Sequence, residues 1–271
     1  MPIYRDMVAM AKSRPLYSLV AAVAAVSVLA GCNSAPTDSR KSADYTAQGV
    51  LVQEMNVDHA FAAVRFQRND TTITNAAIHV AGVPMAFFAL YQGIDSAYQA
   101  LISPAASHAG DEAYFRTADG SRFKDSILLA IVDTFSITDN VNPSNHQLQG
   151  AGQVSLEWTS CANSQGYIIA AVKAALAYTG VGYSALAPGA SAGTIPPEAF
   201  VNSISGEADT GLYNIYVYSY SGAPDSALAG KFLPVPMPMQ IANNIAHNDL
   251  TGRFGTVTVT VKDTIRVLLA L

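Results

Sequence analysis

Short apolar runs separated by turn residues recur through most of this 271-residue chain, from about Gly49 onward. Early runs cover residues 62–68, 72–80 and 85–91, and turn residues such as Gly82 and Gly93 lie between them. Strand-length segments at such close intervals are typical of antiparallel β-sandwiches. Only 13% of the residues are charged, against a usual share of about 25%, which excludes disordered tails and coiled coils. We therefore predict an all-β fold.

The net charge and the cysteine count exclude further classes of protein. The chain has 15 basic and 20 acidic residues, a formal net charge of −5, so a basic face for nucleic acid is not predicted. Two cysteines are too few for a disulfide scaffold or a multi-cysteine zinc fold. The sequence contains neither a phosphate-binding loop motif nor a dinucleotide-binding glycine motif. We expect no nucleic-acid partner and no cofactor.

The N-terminus has the layout of a secretory signal. Basic residues Arg5, Lys12 and Arg14 precede an uncharged run over residues 16–30. This run is shorter than the about 20 residues that a membrane-spanning helix needs. A basic start, an apolar stretch and then small residues are typical of a signal peptide that is removed after export.

The signal ends in Leu29-Ala30-Gly31-Cys32, which resembles the lipobox of bacterial lipoproteins. The resemblance implies cleavage after Gly31, a diacylglyceryl thioether on Cys32 and acylation of the new amino terminus. Two or more acyl chains hold a protein stably on a membrane. The following residue is Asn33 rather than Asp, and in lipoproteins of diderm bacteria this favours the outer membrane. The alternatives are an ordinary secreted protein and a short anchor helix.

Processing at this position changes the composition of the chain. The signal peptide would be residues 1–31, and residues 32–46, which are small, polar and aperiodic, would form a lipidated flexible tether. The mature chain of 240 residues has 12 basic and 19 acidic residues, a formal net charge of −7. Cys161 would then be the remaining thiol, and we expect it in the core rather than as a nucleophile.

A turn-rich stretch near residues 140–152 divides the rest of the chain. We predict a first β-sandwich domain over residues 47–140 and a second over residues 146–271. In the second, Val154, Leu156 and Trp158 alternate with polar residues and are expected to share a buried face.

Over about residues 154–222 the second domain resembles a fibronectin type III or related immunoglobulin-like domain. Trp158 matches the core tryptophan of an early strand, and Gly166 and Tyr167 match the start of the next strand. Tyr213 matches the tyrosine whose hydroxyl ties a corner of the fold. The resemblance implies two tandem β-sandwiches, and these residues bear on packing and not on activity. Long connections over residues 172–200 and 223–252 depart from the pattern, and a short helix could begin within residues 170–178.

We find no catalytic constellation in the sequence. The chain has five histidines, and their spacings match no metal motif. A Gly-x-Ser-x-Gly nucleophile motif is absent, and residues 160–164 are typical of a hairpin turn. Acidic and amide side chains cluster between Asp133 and Asn145, which favours either an ordinary Asx-rich turn or a calcium site. We therefore predict that the protein is not an enzyme and has no catalytic or metal-binding residues.

Tyr216, Tyr218 and Tyr220 recur at every second position of one predicted strand. An exposed row of tyrosines could stack on a sugar or bind a protein partner. The alternative is that the row lies under a long loop or against the first domain. The Pro- and Met-rich residues 232–239 are a second candidate contact, or an extended loop.

These observations predict a lipid-anchored cell-envelope protein, placed in the outer membrane, with a non-enzymatic binding, adhesion or scaffolding role. The membrane would be contacted through the lipid on Cys32, and a protein or glycan would be the partner. One alternative is a carbohydrate-binding accessory lipoprotein that uses the tyrosine row. Another is an envelope hydrolase whose site has no recognisable motif.

Overall fold

The computed structural model of the chain describes residues 45–54, 59–103, 112–119, 123–130, 135–138, 145–238, 241–247, 250–260 and 263–270. These residues belong to one compact unit, Ala43–Leu271. The predicted signal peptide, Cys32 and nearly all of the predicted tether lie outside the described residues, as do Asp133, Asp139, Asn140 and Asn142 of the predicted calcium cluster.

The predicted all-β fold class is confirmed. The described strands are β1 (Tyr45–Glu54), β2 (Ala60–Arg68), β3 (Thr71–Thr72), β4 (Ala77–Val80), β5 (Val83–Pro84), β6 (Ala86–Tyr91), β7 (Ile94–Ile102), β8 (Glu112–Asp119), β9 (Phe123–Ala130), β10 (Gln147–Gln149), β11 (Val154–Glu157), β12 (Gly166–Lys173), β13 (Tyr183–Leu186), β14 (Ala192–Ile195), β15 (Gly211–Gly222), β16 (Ile245–His247), β17 (Leu250–Val259) and β18 (Asp263–Leu268). Among the described residues, helical structure is limited to 3₁₀ turns at Ala174–Leu176 and Pro197–Phe200 and the short helix Ser226–Ala229.

One large open sheet organises the molecule. Its strands follow the order β10-β18-β15-β17-β1-β2-β7-β6, and β12 pairs with the other side of β15. The long strand β15 has two neighbours on one side, because residues 218–222 pair with β17 and residues 211–215 pair with β18. A two-stranded sheet, β11-β14, and a four-stranded sheet, β5-β4-β8-β9, complete the fold.

The parallel pair β1–β17 connects the beginning and the end of the folded chain. Ten residue pairs run from Tyr45↔Leu250 to Glu54↔Val259. Strands that the sequence assigns to the first and the second domain are therefore neighbours in one sheet. The predicted boundary, near residues 140–152, lies in part within residues 139–144, which the structure does not describe, and the division into two domains stays a prediction.

The described residues form three hydrophobic cores on the faces of these sheets, and open sheets that pack face to face in this way form a β-sandwich. The first core joins β1, β2 and β7 to β4 and includes Leu51, Phe66, Tyr98 and Ile78. The second lies on the opposite face of the large sheet and includes Val50, Phe61, Val257 and Leu233. The third joins β11 and β14 to β12, β15 and β18 and includes Leu156, Trp158, Ile195, Ile215 and Ile265.

The resemblance to an immunoglobulin-like domain predicted two packing roles correctly. Val154, Leu156 and Trp158 are all buried in the third core, as the alternation predicted. The indole Nε1 of Trp158 donates a hydrogen bond to the carbonyl of Ala190 over 3.0 Å. Tyr213 ties the corner before β15, because its hydroxyl donates to the carbonyl of Asp209 over 3.0 Å.

Both long connections contain regular structure. The first holds β13, β14 and the two 3₁₀ turns, so the short helix considered for residues 170–178 is one turn that follows the end of β12. The second begins with the helix Ser226–Ala229, which is capped by Asp225 through a 2.9 Å hydrogen bond from the amide of Leu228. Side chains of residues 228–237 then pack on the large sheet.

Candidate functional site

The predicted row of exposed tyrosines does not exist in the structure. Tyr216 is 4% exposed and Tyr218 is 0% exposed, and both belong to the second core. The Tyr218 hydroxyl accepts a hydrogen bond from the amide of Val235 over 3.1 Å and donates to the carbonyl of the same residue over 3.3 Å. Tyr220 is half-buried. The prediction of a binding face is therefore wrong, and the alternative is confirmed: the row lies beneath the Pro- and Met-rich loop.

The buried tyrosines predict an alkaline transition. Burial raises the pKa of Tyr216 to about 12 and also raises the pKa of Tyr218 above the ordinary value of 10.0. Because the folded pKa is raised, the contribution to stability is fully present below pH 10 and is lost as the pH rises through about 12. We expect tyrosinate absorbance to rise in two phases, the second together with loss of β-structure. Tyr216→Phe should reduce the second phase, and absorbance that rises in a single phase near pH 10 would contradict this prediction.

A different region forms a candidate site. A cavity of about 460 Å³ lies where the end of β12, the turn Pro197–Phe200 and the loop before β15 come together. Its polar lining includes Lys173, Glu198, Asn202, Asp209 and Tyr213, and its apolar lining includes Leu176, Val181 and Ile204. We call this cavity the corner cleft, because the tyrosine corner forms part of its wall.

An ion pair fixes the polar wall of the corner cleft. Lys173 Nζ donates to Asp209 Oδ1 over 2.5 Å, and the Tyr213 hydroxyl lies 2.9 Å from Asp209 Oδ2. The hydrogen bond from Lys173 holds the pKa of the Asp209 carboxyl below its ordinary value, and the Tyr213 hydroxyl adds to this effect. Gly211 leaves room for the lysine, because a Cβ there would lie 2.8 Å from Lys173 Cε.

Tyr213→Phe tests this arrangement. The substitution removes the hydrogen bonds from the hydroxyl to the carboxylate and the carbonyl of Asp209. We expect it to lower the free energy of unfolding by about 1.5–3 kcal/mol, measured by urea denaturation. Tyr91→Phe is the matched control, since Tyr91 is exposed and its hydroxyl contacts only the neighbouring Gln92 amide at 3.4 Å among the described residues. Equal effects of the two substitutions would refute a role of the corner in stability.

The loop that carries Ile204 is held in one conformation by its own hydrogen bonds. Asn202 Oδ1 accepts from the amides of Ile204 and Ser205 over 2.9 and 3.2 Å. The Asn202 amide donates to the carbonyl of Glu207, and the Gly206 amide donates back to the carbonyl of Asn202, each over 2.8 Å. At the tip, Ile204 is 94% exposed. A rigid loop therefore presents an aliphatic side chain to solvent at the edge of the cleft.

Two further aliphatic side chains line the same cleft and face solvent in part. Leu176 is 38% exposed and Val181 is 56% exposed. Together with Ile204 they form what we call the aliphatic rim. Exposed apolar side chains next to polar groups are typical of surfaces that bind other molecules.

Lys173 and Asp209 are paired with each other in the polar wall of the corner cleft. The amine of Lys173 is held by the carboxylate of Asp209, so it is not a free nucleophile. Among the described residues, no group of three His, Cys, Asp or Glu side chains is arranged to bind a metal ion. Cys161 is half-buried beside the third core, where its Sγ lies 3.4 Å from the Tyr167 hydroxyl. Asn145, the described member of the predicted calcium cluster, accepts a hydrogen bond from the amide of Gln147.

Sequence reasoning missed the corner cleft. Lys173, Ile204 and Asp209 lie on three separate segments, and none of them belongs to a motif. One signal was available, because Asp209 stands four residues before the corner tyrosine that the resemblance had identified. Asn202 and Gly206 are turn-forming residues, but they do not indicate that an isoleucine between them is exposed.

Comparisons with known proteins add little to this description. No family model matches the sequence, and no curated protein matches it. The solved extracellular region of plexin A4 (domains 1 to 10) matches 59% of this chain with a TM-score of 0.29 and 11% identity, and the match spans 13% of the plexin chain. The structure of the two immunoglobulin domains of DIP-gamma matches 84% of this chain and 98% of its own length, with a TM-score of 0.22 and 7% identity. Neither likeness carries an argument about fold or function.

Within the part of the chain that the structure describes, no helix has the length and apolar character needed to span a membrane.

Proposed function

We propose that this protein is a lipid-anchored cell-envelope protein that binds a protein partner through the aliphatic rim of the corner cleft. The leader that ends directly before Cys32 supports the anchor, and the polar residues that follow Cys32 would hold the folded part away from the membrane. The role is binding, adhesion or scaffolding rather than catalysis. We place the protein in the outer membrane because Asn33 follows the lipidated cysteine.

The observation that carries the binding role is the exposure of Ile204 on a loop that is already ordered. A free isoleucine side chain in water lacks the stabilisation of about 25 cal/mol for each Å² of apolar area that burial provides. Because hydrogen bonds already fix the loop, a partner that covers Ile204 loses little conformational entropy on binding. Leu176 and Val181 extend the apolar area, and Lys173 and Asp209 supply polar groups at its border.

A protein is the preferred partner because the rim is aliphatic. A row of exposed tyrosine rings would favour a glycan, but this row is not at the surface, since Tyr216 and Tyr218 are buried. We therefore do not carry the carbohydrate-binding alternative forward on that surface. The hydrolase alternative needs a nucleophile beside a base, and in the corner cleft the amine of Lys173 and the carboxylate of Asp209 are already paired with each other.

Site-specific photo-crosslinking in cells tests the binding role. A photoreactive amino acid at position 204 should give a discrete higher-mass adduct in the intact envelope, which mass spectrometry then identifies. Leu269, which is 70% exposed, is the control position and should give no such adduct. Val181→Asp should weaken the adduct at position 204, because it places a charge on the rim. No adduct at 204, or the same adducts at 204 and 269, would overturn the proposal.

A further inference from the structure

Glu198 brings a charge to the corner cleft that the cleft itself does not balance. The side chain is exposed on the turn Pro197–Phe200 and lines the cavity together with Lys173 and Asp209. Lys173 and Asp209 neutralise each other through their ion pair. Among the described residues, the Glu198 carboxylate has no partner in a hydrogen bond or an ion pair. The lining of the cleft therefore presents one unpaired negative charge.

An aromatic ring lies near this carboxylate. Tyr183, at the start of β13, is partly buried and lines the same cavity. Burial raises the pKa of the Tyr183 hydroxyl, and the negative charge of Glu198 raises this pKa further. The hydroxyl is therefore neutral near pH 7 and leaves the charge of Glu198 unbalanced. A carboxylate beside an aromatic ring suits a guanidinium group, which pairs with carboxylates and stacks on rings.

The apolar lining of the cleft suits the remainder of a long basic side chain. Leu176 and Ile204 of the aliphatic rim line the cavity that Glu198 lines. Arginine and lysine side chains place their methylene groups along apolar surface while the charged end stays with polar groups. The cavity of about 460 Å³ lies within the range of about 300–1,000 Å³ that is typical of ligand pockets. One long side chain therefore has room to enter.

We propose that the partner inserts an arginine side chain into the corner cleft, with its guanidinium group on the Glu198 carboxylate and its methylene groups on Leu176 and Ile204. This inference rests on the proposed function, because it takes a protein to be the partner that covers Ile204. Arginine is preferred to lysine because its planar group donates two parallel hydrogen bonds to one carboxylate and can also stack on Tyr183. Arginine is also enriched among the residues that dominate binding at protein interfaces.

Charge complementarity favours this occupant over acidic and apolar ones. An acidic side chain would bring a second carboxylate to Glu198, and like charges across an interface weaken binding. An apolar side chain would cover the Glu198 carboxylate without pairing it, and a buried charge without a partner is unfavourable. The chain as a whole has a formal net charge of −5, which attracts a basic partner at long range.

Glu198→Gln tests this contact in the full chain that carries the photoreactive amino acid at position 204. The substitution removes the charge and keeps the size of the side chain. We expect the yield of the adduct in the intact envelope to fall at least about tenfold, because the guanidinium group loses its charged partner. Asp95→Asn is the matched control, since it removes the same charge at an exposed position on β7, outside the lining of the cleft. Its adduct yield should equal that of the parent.

Reversal of the charges on both sides provides an independent test. Mass spectrometry of the adduct should place the crosslink in a segment of the partner that contains an arginine. Replacement of that arginine by glutamate should abolish the adduct with the parent chain. The same partner variant should form the adduct again with Glu198→Arg, because the pair is then restored with the charges exchanged.

The outcomes separate this inference from the proposed function. An adduct at position 204 that Glu198→Gln leaves unchanged would overturn the arginine contact while the binding role remains. Equal losses with Glu198→Gln and Asp95→Asn, a crosslinked segment without arginine, or failure of the charge reversal to restore the adduct would also overturn it. If the parent chain gives no adduct at position 204, the binding role fails and the arginine contact fails with it.

Discussion

Gly252→Ala is expected to prevent the chain from forming the β1–β17 pair. Gly252 has a φ of +140° and lies opposite Ala47 in the parallel register. A Cβ at this position would lie 1.9 Å from the Ala47 carbonyl oxygen and 2.8 Å from its carbonyl carbon. A backbone carbonyl within a sheet cannot move aside as a flexible side chain can. We expect a loss of at least about 4 kcal/mol in the free energy of unfolding, so that little folded protein is recovered.

Gly82→Ala is the matched control for this substitution. Gly82 also has a positive φ, of +77°, but nothing lies within 4 Å of the position of its Cβ. Gly82→Ala should lower the free energy of unfolding by only about 1–2 kcal/mol, which is the cost of placing an L-residue in a left-handed backbone conformation. The comparison, made by urea denaturation and circular dichroism, separates steric crowding from backbone conformation. A Gly252→Ala protein as stable as the Gly82→Ala protein would contradict the described β1–β17 contact.

Trp158→Ala is expected to have the second-largest effect. The indole packs 5.4 Å from the ring of Tyr167, and a Cβ on Gly193 would lie only 3.2 Å from its Cη2. The substitution leaves a cavity in the third core and also removes the hydrogen bond to the carbonyl of Ala190. Replacing a buried tryptophan by alanine costs about 3–5 kcal/mol. We expect a loss in this range from the free energy of unfolding, measured by urea denaturation.

Leu212→Ala provides the control for the loss of apolar volume. Leu212 is 43% exposed on β15, a strand that also contributes to the third core. Its truncation should cost less than about 1 kcal/mol, because surface substitutions have small effects. If the two alanine variants unfold at the same urea concentration, Trp158 does not have the central packing role that the structure gives it.

The sequence was most informative where a local pattern determines packing. The burial of Trp158 was predicted from the alternation of its strand, and the corner role of Tyr213 from the resemblance to an immunoglobulin-like domain. Their hydrogen-bond partners lie 32 and 4 residues away along the chain. The alternation of β15 also showed correctly which tyrosines share a face. It could not show what covers that face, because alternation records direction and not burial. The face is covered by a loop in which Val235, 17 residues after Tyr218, donates a hydrogen bond from its amide to the Tyr218 hydroxyl.

Contacts between distant segments were not predictable in this way. β1 pairs with β17, about 200 residues later, and no local periodicity indicates a partner at that distance. The corner cleft could not be predicted for the same reason. Lys173 at the end of β12 contacts Asp209 because β12 and β15 are neighbours in the sheet.

The attachment of lipid to Cys32 tests the proposed location most directly. The full-length chain should be expressed in a diderm bacterium with radiolabelled fatty acid, and the membranes should then be separated. We predict that the parent protein and Cys161→Ser incorporate label and fractionate with the outer membrane. Cys32→Ser should incorporate no label and leave the membrane fraction. If Cys32→Ser is still labelled and membrane-bound, or if the parent protein takes up no label, the protein is not anchored as we propose.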